Sequence, residues 1–470
     1  MLRTVSIATA MVASLGFAAL AIAATAPKPA LAARSERGSL PRFPDFGQLP
    51  PPEVITPDRV FRLAQDFPKA LPPPEPAVQR ILAIDFRKDW QGYMAATLAY
   101  ILEGNIENRA LSDTFFLEDN KARPWYHVPW QHWGDNGREG LHGLTAEGPV
   151  NPHVLNPLQQ NQWAAYAVGF YNARGGYTIG QVWQDANNPR IDAVVRDGGF
   201  PIGTVVAKLL FTTAPVAEAP LLSNPIEWSA YVKDKFSAPG PTGLPINPRH
   251  LASVRLLQVD MMVRDPRADA TGGWVFGTWI YNGLQAKVRA PGQTFDNRWR
   301  NLMPLGIAWG NDPTVTSFPG GNPAPLKTIT NPDLKETVIS TDPALPPMHL
   351  GYGLRLSGAV DNVESSCKSC HSAAQYPAIS NILPGFSMKN GRYLTPKDPE
   401  WMRWFRNLKP TEAFDAGAVS TDNSLQLAGS IQNFLAAGNI TSGGLYATQY
   451  YKGRKIESIY GSRGMTKHSK

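Results

Sequence analysis

Cys367-Lys368-Ser369-Cys370-His371 is the stretch whose residue types and spacing can do chemistry. C-x-x-C-H is the attachment signature of a c-type haem. Each thiol can add across one haem vinyl group to form a thioether, and the histidine that follows is placed to become the proximal iron ligand. Two residues between the thiols, in a helical turn, set the sulfurs against neighbouring pyrrole edges. Three other readings compete: a disulfide, a redox C-x-x-C pair and a zinc site, which needs further ligands. The chain has 2 cysteines in 470 residues, both in this motif, whereas a disulfide-stapled exported protein carries more.

A second concentration of reactive types runs from Arg123 to Trp133 and on through Arg138, Glu139 and His142. A reactive haem pocket needs acid–base groups in an apolar wall, and Arg138 and His142 are the candidate catalytic pair. The competing reading is a Trp-rich loop packed on the body of the protein, its histidines satisfied by backbone. Met388 and Met402 are candidate iron ligands, because His/Met coordination is common in electron carriers. Met348 and His349 are a further pair near the motif. Arg264-Asp265-Pro266-Arg267 reads as an ion-paired turn rather than a site.

The elements that must position these residues fall into two kinds. Tyr93, Ala96, Leu98, Ile101 and Leu102 predict one amphipathic helix between Trp90 and Gly104. The stretches 163–172, 177–183, 200–213, 253–263 and 274–281 are rich in β-branched and aromatic residues, with turn residues between them, and predict strands. From Leu350 the pieces look helical, and Ser424–Leu435 has helical spacing, with Thr421, Asp422 or Asn423 as caps. The expected fold class is α+β, an antiparallel β-sandwich or barrel core with long loops and a mainly helical C-terminal haem-binding segment.

The expected organisation is a signal peptide over 1–32, a Pro-rich arm over 33–83, a β-rich domain over 84–345, a haem-binding segment over 346–450 and a basic tail over 451–470. The signal rests on Arg3, an Ala-rich apolar run and A-x-A sites ending at Ala32. No later run approaches the roughly 20 apolar residues that a spanning helix needs, so the expectation is an exported, periplasmic protein that is soluble once the signal is cleaved. A formal charge of +7 suits docking to acidic redox partners. No dense basic run has aromatic residues beside it, which argues against nucleic acid. The implied cofactor is one covalent haem c, and the implied partners are a redox protein or a small-molecule substrate.

Phe200-Pro201 with Gly203-Thr204-Val205 and Lys208, then Asp260 to Asp265 leading to Gly273-Trp274, then C-x-x-C-H, resembles the sheet-built mono-haem cytochromes c. These include the hydroxylamine-oxidising cytochromes with a lysine–haem crosslink and the cytochromes c-prime-beta. The resemblance covers about the central half of the chain. It implies that Cys367, Cys370 and His371 hold the haem, that His371 is the only protein ligand to iron, and that Lys208 matches the crosslinking lysine. The iron's other face would then be open to peroxide, nitric oxide or hydroxylamine. Lys208 can also be read as an ordinary lysine on the solvent face of a strand. The chain departs from the family in its greater length and its long segment after His371. That leaves open a cytochrome c domain fused to a sheet domain, with Met388 or Met402 as sixth ligand and Ser424–Leu435 as the closing helix.

Overall fold

Apolar side chains dominate the strands β2 (Ala165–Tyr171), β3 (Val205–Thr212), β5 (His250–Arg264), β6 (Trp274–Tyr281) and β7 (Leu302–Ala308), and these form the centre of one antiparallel sheet. The computed structural model describes residues 61–105, 120–132, 137–233, 249–285, 298–317, 323–333, 350–387 and 391–441. It also describes the strands 449–451 and 454–456 and a few isolated positions, among them Phe43. Two helices, α1 (Pro76–Ala83) and α2 (Trp90–Leu102), precede the sheet. Its remaining strands are β1 (Thr145–Ala146), β4 (Glu227–Val232) and β8 (Thr328–Thr330). The order is β1-β2-β3-β5-β6-β7-β8, and β4 pairs with the first part of the 15-residue β5. The architecture is therefore mixed α+β on a single eight-stranded sheet, where a sandwich or barrel was expected.

Register fixes which side chains share a face. Tyr171, Val206, Met262, Phe276 and Ala308 are successive cross-strand partners, and so are Gly169, Lys208, Asp260, Thr278 and Gly306. Partners point the same way and alternate residues point oppositely, so these two rows lie on one face. The opposite face carries Ala207, Met261 and Gly277, and α2 covers it there: a Cβ on Gly277 would lie 3.3 Å from the Met94 Cε. Tyr93 of α2 donates its hydroxyl to Asp265 at 3.2 Å, and Asp265 pairs with Arg267 in the expected ion-paired turn.

Tyr177–Trp183 is not a strand. It lies largely in helix α3 (Ala173–Val182), whose Asn172 cap accepts a bond from the Gly175 N–H. The cause is close packing. Gly175 and Gly176 lie so near the Tyr171 and Tyr126 rings that any Cβ there would clash, and the same glycines weaken the local helix signal. A short helix, α4 (Asp192–Arg196), follows.

The C-terminal part covers the Lys208 face. It is built mostly of two-residue strands: β9 (Leu350–Gly351), β10 (Arg355–Leu356), β11 (Gln375–Tyr376), β12 (Phe386–Ser387), β13 (Arg392–Tyr393) and β14 (Val419–Ser420). Among the described residues only α5 (Cys367–Ser372) and α6 (Leu425–Thr441) are α-helical here, so this part is less helical than expected. Leu427 and Ile431 of α6 join Tyr376, Val419, Val206, Met262 and Phe276 in one buried cluster. Tyr352, Trp401, Trp404, Phe405 and Phe414 form another, with Ala373 just past α5. Beside it, fully buried Arg355 donates to the backbone carbonyls of Asn311, Asp312, Val315 and Tyr352. Among the described residues no helix is long and apolar enough to cross a membrane.

Candidate functional site

The thiol helix is a six-residue element that the surrounding chain holds in place. Ser366 starts α5 with a capping box: its hydroxyl accepts from the Ser369 N–H, and the Ser369 hydroxyl accepts from the Ser366 N–H. Such reciprocal capping satisfies amides the first turn would leave orphaned. The Cys367 and Cys370 thiols are free, not bridged to each other. Past the helix, β11 pairs with β14 at Gln375↔Ser420 and Tyr376↔Val419, and the Thr421 N–H donates to the Ala374 carbonyl. That ladder brings the 421–424 loop against His371.

His371 Nδ1 lies 2.8 Å from the Asn423 carbonyl oxygen. A carbonyl only accepts, so Nδ1 carries the proton and Nε2 keeps its lone pair. Burial, reinforced by the nearby lysines Lys208 and Lys368, pushes His371 down to about 4 although its bond to Asn423 opposes this, so the imidazole is neutral at pH 7. A neutral imidazole anchored at Nδ1 is what a metal-ligating histidine requires. Phe276 packs 5.2 Å from the imidazole, centroid to centroid. The accepting loop is itself unusual: Asp422 and Asn423 are both left-handed, with φ 48° and 66°. The Asp422 carboxylate holds the turn by accepting from the Phe200 N–H at 2.7 Å and the Trp274 Nε1 at 3.1 Å.

Lys208 and three carboxylates border the thiols. Its Nζ is 3.9 Å from both Glu147 and Asp260. Burial opposes its charge, but Glu147, Asp260 and Asp361 outweigh burial and hold the ammonium above the ordinary lysine range. Burial raises Asp260 to about 6 against the pull of Lys208, while Gln258 and the Thr278 hydroxyl donate to its carboxylate. Gln258 also accepts from the Ala359 N–H, and Asp361 accepts from the Gly358 N–H, which ties the loop before α5 to β5. Burial pushes Cys367 well above the ordinary thiol range and Cys370 up to about 12. Yet both thiols and His371 are only half-buried by surface, and Lys208 keeps 31% of its side-chain surface. The thiols and His371 thus keep some open surface although the protein around them disfavours their charged forms.

The chain matches no family model, and no curated protein or solved structure is significantly similar to it. The site's own chemistry therefore carries the assignment. Among the described residues no three His, Cys, Asp or Glu side chains converge as they would on a bare metal ion. Two unbridged thiols on one helical turn and a neutral histidine bonded through Nδ1 are what a covalently held haem requires, so the residues present fit that group. Gln426 of α6 adds to the wall. It lies across Gly169, the cross-strand partner of Lys208, where any Cβ would clash with its amide.

Lys208, Cys367, Cys370 and His371 come together; Arg138 and His142 do not join them. His142 contacts the Ser229 carbonyl through Nε2 at 3.0 Å and stacks on Trp228. Arg138 donates to the Phe61 carbonyl and lies over the Phe61 ring. Ser229 pairs with Ser253, and Asp260 is seven residues further along β5, roughly 23 Å at 3.3 Å per residue. The Trp- and His-rich stretch packs and caps, as the second reading of it held. Met402 packs against the Tyr352–Trp401 cluster, which Ala373 also joins. Trp133, Met348, His349 and Met388 lie outside the described residues, as do the signal segment and most of the tail. Sequence reasoning missed Asn423, Asp422, Lys368, Asp260, Asp361 and Glu147 as site residues. The available signal was an Asp-Asn pair, a type that tolerates left-handed backbone, directly after a short strand.

Proposed function

We propose that the chain is an exported mono-haem c-type cytochrome, with thioethers at Cys367 and Cys370 and His371 as proximal ligand through Nε2. The observation that carries this reading is the bond from His371 Nδ1 to the Asn423 carbonyl, one turn from two unbridged thiols. Haem supplies one-electron chemistry when bound. The chain's own residues do the rest. The Asn423 carbonyl holds the imidazole's tautomer and ring orientation. Phe276 and the buried cluster beneath it exclude water from that side. Lys208, with Asp260 and Glu147, keeps a proton and a charge beside the thiols.

We read the iron's other face as open to a small molecule such as peroxide, nitric oxide or hydroxylamine, so that the protein acts as a haem oxidoreductase. The polar wall at Lys208, with Glu147 and Asp260, supports this over a closed His/Met carrier. Export rests on the Ala-rich N-terminal run and its A-x-A sites.

The test is mass spectrometry of the mature chain after acid–acetone extraction. The expected result is one haem retained per chain, lost in the Cys367→Ala/Cys370→Ala variant. A haem that extracts, or a chain without haem, refutes the reading. Carbon monoxide added to the ferrous protein should shift the Soret band; a low-spin spectrum that does not respond makes the protein an electron carrier instead.

A further inference from the structure

Lys368 lies between the two thiols, and its side chain is 1% exposed. Burying an ammonium is costly unless it is well partnered, and burial pushes this amine down to about 7, so its position demands a reason. Its Nζ donates to the Asn423 Oδ1 at 2.8 Å and sits 5.5 Å from the centre of the Phe276 ring. Glycine leaves room for it: a Cβ on Gly272 would come 2.6 Å from the Nζ. The charged groups that act on it are Asp422, which favours the ammonium, and Arg264, which opposes it.

Asn423 is therefore held at two points. Its side chain accepts from Lys368, and its carbonyl accepts from His371 Nδ1. It also adopts a left-handed backbone, φ 66°, which asparagine tolerates better than most residues. That backbone and the side-chain anchor together fix the orientation in which the carbonyl faces the imidazole.

We infer that Lys368 is a positioning residue for the proximal histidine: by anchoring the Asn423 side chain it fixes the carbonyl that orients His371 and sets how strongly Nδ1–H is bonded. A firmer bond at Nδ1 makes Nε2 a better donor to a bound metal. The inference rests on the haem reading above.

The test is a double-mutant cycle in reduction potential on the full-length holoprotein, using Lys368→Met, Asn423→Ala and both together. Asn423→Ala changes no charge and loosens the carbonyl, so the potential should rise while haem is retained. With all four proteins measured well below pH 7, where Lys368 is charged, Lys368→Met in the Asn423→Ala background removes only a positive charge and should lower the potential. In the wild type it also releases Asn423, so its shift should be less negative than in that background. Equal shifts in the two backgrounds overturn the inference. If Lys368→Met does not fold, Asn423→Ala alone decides: an unchanged potential overturns the inference, and a raised one supports it. A wild-type protein without haem sinks the functional reading and this inference with it; a haem-loaded protein with an additive cycle sinks the inference alone.

Discussion

Replacing Lys208 with methionine removes a cation set among Glu147, Asp260 and Asp361 beside the thiols. The Nζ sits 3.9 Å from Asp260 and from Glu147. At that separation a charge pair is worth about 4 kcal/mol at an effective dielectric near 20. Methionine avoids the cost of burying an ammonium, so the expected net loss is about 2–4 kcal/mol at pH 8. The loss should depend on pH. Asp260 titrates in the folded protein at about 6, above its ordinary 3.8, so the folded state binds the extra proton. That contribution is complete below about pH 4 and is lost as pH rises through 6. At pH 4 Asp260 is neutral and its attraction to Lys208 is absent; only the half-exposed Glu147 pair remains, worth about 1 kcal/mol or less. Without Lys208 the Asp260 carboxyl moves higher still, so the variant keeps losing stability between pH 6 and 8 where the wild type levels off. Urea unfolding at pH 4, 6 and 8 measures the gap. It should widen from below about 1 to about 2–4 kcal/mol, and adding Asp260→Asn should close it. A gap of the same size at pH 4 and pH 8 refutes the pairing.

Burial holds His127 neutral, down to about 3. Its stabilising contribution is present above pH 6.5 and lost as pH falls toward 3, so His127→Gln should remove about 1.4 kcal/mol per pH unit from the slope of unfolding free energy in that window. Gly272→Ala meets both a backbone φ of 106° and the Lys368 Nζ; chemical denaturation should show a loss of about 1–3 kcal/mol. Arg355→Leu strips its donors from four carbonyls and should cost about 3–5 kcal/mol by the same measurement. His142→Ala removes the stack on Trp228 and should lower the melting temperature while leaving the haem spectrum unchanged; a shifted spectrum would return His142 to the site.

The strands within 200–213, 253–263 and 274–281 were legible because β-branched and aromatic runs bounded by Gly and Pro have few other uses in a chain, whereas Glu227–Val232 was not read. Their arrangement was not: the alternation in Val205–Thr212 looks one-sided at Lys208, yet both faces are covered, so alternation exposes no residue freely to bulk water. The thiols and His371 were legible from spacing alone. Their second layer was not, because Asn423 reaches His371 across 52 positions through a two-residue ladder that has no periodicity to detect. Asp422 and Asn423 read as caps of the following helix, whereas Ser424 supplies the hydroxyl that accepts from the Leu427 N–H. The Arg138–His142 region drew a catalytic reading because histidine serves packing and catalysis with the same atoms, and here His142 stacks on Trp228.

The buried thiols bear on the order in which such a protein is assembled. A thiol that burial holds well above its ordinary range is rarely ionised at neutral pH, and the thiolate is the reacting form. A finished fold is thus a poor substrate for its own haem attachment. Under the proposed reading, the thioethers form while Cys367 and Cys370 are still in water, before the segment from β14 through α6 closes over His371. The chain beyond the motif then acts as a seal that arrives last, and the β11–β14 ladder is the seam along which it closes.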